Sequence, residues 1–136
     1  MDSLANESIV LRNTLTFREL AHANGDLARV NLRGRIVCAE RVVIAVNEWL
    51  AVRRGPTNRY QVLGESHSYH AFKRASPRVD ILRYDDAHGP LHRHYFDAAG
   101  REIRVEAIEL ETLPRLDFVV REAVSLVAPG RWLLGR

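Results

Sequence analysis

Residues 83–97, RYDDAHGPLHRHYFD, gather His88, His92 and His94 with Asp85, Asp86 and Asp97 and with Arg83 and Arg93. Imidazole is the side chain whose unperturbed charge changes near neutral pH, so several of them beside carboxylates and guanidiniums can move protons and hold an anion. On a strand, residues two apart face the same way, which puts His92 and His94 on one face and Arg93 and Tyr95 on the other. His88 precedes them in a loop bent by Gly89 and Pro90. Asp85 and Asp86 fall just past a strand end, placed to accept from turn N–H groups or to orient an imidazole.

Three readings of this set follow. The first is metal-free cleavage of RNA, in which one group removes the 2′-hydroxyl proton, a second protonates the leaving 5′-oxygen and a cation stabilises the phosphorane. His92 or His94 would be the base, His88 the acid and Asp85 the carboxylate that orients an imidazole. Arg83, Arg93 and Lys73 would hold phosphate, and no cofactor is needed. The second is a metal centre: an H-x3-H-x-H spacing with an aspartate could supply three ligands and an open position, although it matches no established metal signature. The third is a solvated hairpin whose histidines lie on the surface. His67 and His70 in SHSYHAF fall on opposite faces of a regular strand, so at most one joins the cluster unless a bulge at Gly64 turns the face. His70 is therefore a second-rank candidate, as are Tyr84 and Tyr95, which could stack on unpaired bases or simply fill half-buried strand positions.

The elements that position these residues are legible from the apolar spacing. VNLRGRIVC and RVVIAVNEWLAV alternate with a period of two and are rich in β-branched residues, which predicts a strand pair joined by the short AER link. YQVLGESHSYHAFKR, with a bulge near Gly64, and RVDILRYD, after the Ser76-Pro77 break, read as two more. HRHYFD and REIRVEAI flank the hairpin chemistry of DAAG. Leu113, Leu116, Val119, Val120, Ala123, Val124 and Val127 recur at helical spacing, with Thr112 as cap and Pro114 in the first turn. One apolar stripe implies a helix lying on a sheet. Near the start, TFRELAHANG offers a capping box from Thr16 to Glu19 and a stop at Gly25, which predicts a short helix. The expectation is an α+β fold: an antiparallel sheet of five or six strands, a C-terminal helix packed on it and a short N-terminal helix. Residues 1–28 would form an extension and 29–136 one domain.

The chain of 136 residues carries 20 Lys+Arg against 17 Asp+Glu, a net charge of +3, and Lys73 is its one lysine. Arginine holds phosphate and carboxylate with a bidentate fork, so this set suits nucleic-acid contact. Cys38 is the single cysteine, which excludes an internal disulfide and points to a small core residue in a reducing compartment. The first residues lack a basic start followed by an apolar core, and VVIAV is too short to span a bilayer, so the expected location is the cytoplasm with no membrane partner. Trp49 and Trp132 read as packing residues.

The stretch SYHAFKRASPRVDILRYDDAHGPLHRHYFD, together with the C-terminal LDFVVREAV, resembles the TumE-like family, presumed toxin halves of bacterial toxin–antitoxin modules. The features that carry it are Tyr69 with His70, the strand end Arg83-Tyr84-Asp85-Asp86, and His92-Arg93-His94, across roughly residues 34–127. Asp86 departs from the asparagine expected after R-Y-D. The resemblance implies a cytoplasmic protein neutralised by a small helix-turn-helix antitoxin, with RNA as target. Set against an enzyme is a non-catalytic binding module, either an accessory subunit or a homodimer built on an exposed sheet edge.

Overall fold

β-branched residues build the centre of the molecule, where Ile36, Val42, Ile44 and Val46 are almost wholly buried and favour a pleated backbone. The computed structural model describes residues 9–19, 27–55, 59–86 and 89–129. Its strands are β1 (Val10–Asn13), β2 (Thr16–Glu19), β3 (Leu27–Cys38), β4 (Val42–Arg54), β5 (Tyr60–Lys73), β6 (Val79–Asp85), β7 (His92–Phe96) and β8 (Glu102–Ala107). They form one antiparallel sheet in the order β1-β3-β4-β5-β6-β7-β8, with β2 also paired to β3. The helix α1 (Leu116–Val127) buries Val119, Val120, Ala123 and Val124 against one face of this sheet. The other face carries no helix among the described residues.

The expected five or six strands become eight, and the expected N-terminal helix is replaced by strand. Both extra strands come from the segment read as an extension. Thr16 does not cap a helix: its hydroxyl donates to the Arg33 carbonyl at 3.3 Å, and Phe17 lies opposite Leu32 in the β2–β3 register. The capping signal is local, and pairing along β3 overrides it because a marginal helix has no tertiary partner there. The rest of that expected helix, with Gly25, lies outside the described residues, as does Trp132. Ile9 is fully buried in the shared core, so residues 9–19 belong to the sheet.

Between β1 and β2 the backbone of Thr14 and Leu15 passes directly over Gly34, where a Cβ would stand 2.5 Å from the Thr14 carbonyl oxygen. Only glycine admits that crossing. The predicted bulge beside Gly64 is present: Trp49 pairs with Ser66 and Leu50 with Gly64, which leaves Glu65 as the extra residue. Further register shifts place Ile81 in β6 and Ile103 in β8 between consecutive pairs. The DAAG hairpin also forms as read. Asp97 Oδ1 accepts the N–H groups of Ala99 and Arg101 at 3.0 and 2.9 Å, and these bonds, that of Arg101 foremost, hold its carboxyl below the ordinary range.

Two finer expectations shift. α1 starts at Leu116 with Arg115 before it, while Thr112 ends a 3-10 turn and its hydroxyl donates to the Glu109 carbonyl at 2.8 Å. Cys38 is the small core residue expected, and burial pushes its thiol up to about 12.

Candidate functional site on the open sheet face

Residues opposite one another in a sheet project to the same side. Following the register from β3 to β8 therefore lays out two adjacent rows on the face away from α1. One row is Arg35, Ala45, His70, Arg83, His94 and Val105. The next is Arg33, Asn47, Ser68, Asp85, His92 and Ala107. At about 4.8 Å between strands, Arg35 and His94 stand about 19 Å apart. A polar band carrying Arg33, Arg35 and Arg83 thus crosses the sheet, assembled from single residues of strands far apart in sequence.

His94 is its best-organised member. Its Nδ1 lies 2.5 Å from Glu102 Oε1, and its Nε2 lies 3.3 Å from Arg83 Nη2 and 3.6 Å from Asp85 Oδ2. The Glu102 carboxylate can accept only from a protonated Nδ1, which leaves the Nε2 lone pair toward Arg83. Arg83 Nε is 2.6 Å from Asp85 Oδ2, an ion pair by distance, although its N–H does not point at that oxygen. The orienting carboxylate of His94 is thus Glu102, which the spacing of the histidines did not reveal. Its signal lay in the hairpin: Asp97 and Gly100 fix a turn that sets Phe96 against Glu102, beside His94.

The other expected site residues divide sharply. His92 stands next to Asp85 in the second row, and His70 next to Arg83 in the first. His70 Nε2 is held by Asp80 Oδ1 at 2.8 Å, and burial pulls its imidazole below the ordinary value against the opposing pull of Asp80. His88 lies outside the described residues. Asp86 turns back onto β5, where its carboxylate accepts the His67 N–H at 3.1 Å and the Ser66 hydroxyl at 3.0 Å. Lys73 does not join the band; it sits at the end of β5 opposite Val42 and Val79 and lines a separate depression with Asp97 and Leu126.

Arg93, Tyr84 and Tyr95 belong to the opposite, helix-covered face. The Arg93 guanidinium donates to the Tyr84 hydroxyl and to Glu122 of α1, and lies 4.4 Å from the Tyr95 ring centre. The Tyr84 hydroxyl donates to the same Glu122 oxygen at 3.1 Å. Burial first, then Glu122, pushes the Tyr84 phenol up. Burial would lower the Arg93 pKa, but the Glu122 carboxylate beside it more than compensates and raises it. The Tyr95 ring is covered by Arg93 and, at 4.0 Å, by Arg104. Arg93 and Tyr84 fasten the helix to the sheet through Glu122, and the side chains of all three residues lie on the face opposite the open one.

On that same inner face, Glu48 and His67 are cross-strand neighbours, both at least nine-tenths buried. Neither His67 ring nitrogen has a hydrogen-bond partner. Burial raises the Glu48 carboxyl above its ordinary range, with His67 opposing. Among the described residues no three His, Cys, Asp or Glu side chains are grouped to hold a metal, so the described part of the H-x3-H-x-H stretch makes no such group. No described helix is long and apolar enough to cross a membrane. No family model, curated protein or solved structure matches the chain.

Proposed function

We propose that the open face of the sheet binds single-stranded RNA and that His94 is the centre at which it is cleaved, without a metal. The observation that carries this reading is the setting of His94, with the Glu102 carboxylate at Nδ1 and the Arg83 guanidinium at Nε2; in the neutral ring that Glu102 favours, Nε2 is the base. His94 Nε2 takes the 2′-hydroxyl proton. The oxygen so freed attacks the adjacent phosphorus, and Arg83 meets the charge that develops on the phosphorane. His92, one row over, donates the proton to the departing 5′-oxygen. Arg33 and Arg35, exposed on β3, hold the backbone further along the strand. The resemblance to TumE-like proteins agrees with such a role and adds the idea of a helix-turn-helix protein as its neutralising partner.

A second reading, binding without cleavage, is favoured by a different observation. A shallow depression of about 260 Å³ lies between Arg33, Arg35, Asn47 and Ser68, at the far end of the band from His94. The two separate in one experiment on labelled single-stranded RNA, read for both cleavage and binding, with and without EDTA. Under the first reading His94→Ala lowers the cleavage rate by about 10²- to 10⁴-fold and leaves binding intact, and EDTA has no effect. Binding by the wild type with no cleavage, lost on replacing Arg33 and Arg35 by Ala, would establish the second reading and remove the first.

A further inference from the structure

β8 closes one end of the sheet, and every one of its six residues is exposed. Alternate N–H and C=O groups of an edge strand point outward, so this strand offers a pairing edge, and its apolar residues Ile103 and Val105 are 65% and 45% exposed. What pairs with it is decided by charge. If two copies of β8 meet antiparallel about a two-fold axis, the residue on the axis faces itself and residues equally distant from it face each other.

Each of the four central residues, Ile103 to Glu106, can then be weighed as the centre. With Arg104 on the axis, Arg104 meets Arg104 and Glu102 meets Glu106. With Glu106 on the axis, two carboxylates meet. With Ile103 on the axis, the centre falls on the bulge residue that has no partner in β7, and Arg104 would have to draw Glu102 away from His94. With Val105 on the axis, Val105 packs on Val105 and Arg104 faces Glu106 twice over. Like charges directly opposite destabilise a strand pair and opposite charges support it, so this one register is selected. Arg104 and Glu106 already lie 3.3 Å apart within one copy, with 60% and 49% of their side chains exposed, free to exchange that contact for its symmetric equivalent.

We infer that β8 is a self-complementary edge through which two copies of this chain join their sheets about Val105. A two-fold axis normal to the sheet keeps both open faces on the same side. Because Val105 ends the row of Arg35, His70, Arg83 and His94, the two rows run into one another through the axis. Three strand spacings, about 14 Å, then separate the two His94 positions. A contact of one short strand is a small interface, so its affinity is of micromolar order.

The test is sedimentation equilibrium at about 100 μM, where a micromolar pair is formed, on wild type, Glu106→Arg, Arg104→Glu and the double exchange Arg104→Glu/Glu106→Arg. Both positions changed, Arg104 and Glu106, are on the surface, and circular dichroism checks each fold. The wild type runs with the mass of two chains, each single variant weakens association at least tenfold, and the double exchange restores it. A wild type with the mass of one chain overturns the inference. So does a single change that leaves the association constant as strong as in the wild type, or a folded double exchange that stays single.

Discussion

Arg93 and His94 are neighbours in sequence and occupy two different chemical worlds. On the inner face Arg93 is locked among Tyr84, Tyr95 and Glu122 beneath α1, with 13% of its side chain exposed. On the outer face Arg83, paired with Asp85 and touching His94, keeps 35% of its side chain exposed. The same guanidinium chemistry fastens a helix in one place and remains within reach of a ligand in the other. What separates the two is what covers them, since a strand assigns its side chains to faces by parity alone. A cluster of charged residues in sequence therefore announces two half-clusters in space.

The sharpest way to break this contrast is to remove each arginine. Arg93→Ala leaves the half-buried Glu122 carboxylate without its ion-pair partner and with only the Tyr84 hydroxyl donating to it, and we expect a loss of about 3 kcal/mol in denaturant unfolding. Arg83→Ala removes the ion-pair partner of Asp85, whose side chain is 13% exposed but lies on the face that no described helix covers, where water can take the place of the guanidinium, and the expected loss is about 1 kcal/mol. Equal losses would show that the outer network is as structural as the inner one.

Smaller effects sharpen the same distinction through pH. Glu48 has a raised carboxyl in the folded state, so the folded chain holds more protons than the unfolded one above pH about 4.5, and charging Glu48 costs stability as pH rises. Glu48→Gln is expected to stabilise the protein at pH 7, by roughly 1 kcal/mol, and the gain should vanish near pH 4. His70 has the opposite linkage. Its folded imidazole is shifted down, so below pH about 6.5 the unfolded chain binds more protons and stability falls with pH until the folded group also titrates. His70→Gln should flatten that limb by a fraction of a kcal/mol in a pH series of unfolding curves, and an unchanged slope would remove His70 as its source.

Much of the sheet was readable because period-two alternation is a strong signal where one face is buried. β3 to β8 follow from it, while the DAAG turn follows from its Asp and Gly and α1 from an apolar stripe at helical spacing. The N-terminal strands escaped because Thr16 and Glu19 satisfy a helix cap in local chemistry, while the residues that make them strand, Arg33 and Leu32, stand 15 to 17 positions away by the β2–β3 register. The parity of His92 and His94 against Arg93 and Tyr95 came out as read. The phosphate role expected of Arg93 did not survive the packing of Glu122, which is 29 residues distant and invisible to spacing. Glu102, Arg33 and Arg35 were passed over for the converse reason: each looks like an ordinary strand residue until the register sets Arg35 and Arg33 in the rows of His94 and His92 and the β7–β8 pairing brings the Glu102 carboxylate to His94.

The crossing of Thr14 and Leu15 over Gly34 gives the two ends of this sheet unlike fates. There the chain breaks its border into two four-residue pieces, β1 and β2, offset along β3, so the described residues present no long straight ribbon at that end. A sheet with two adhesive borders would extend copy after copy into a fibre. If β8 pairs with itself as inferred above, the interrupted border at the other end stops growth at two, and Gly34, by admitting the crossing, guards against polymerisation.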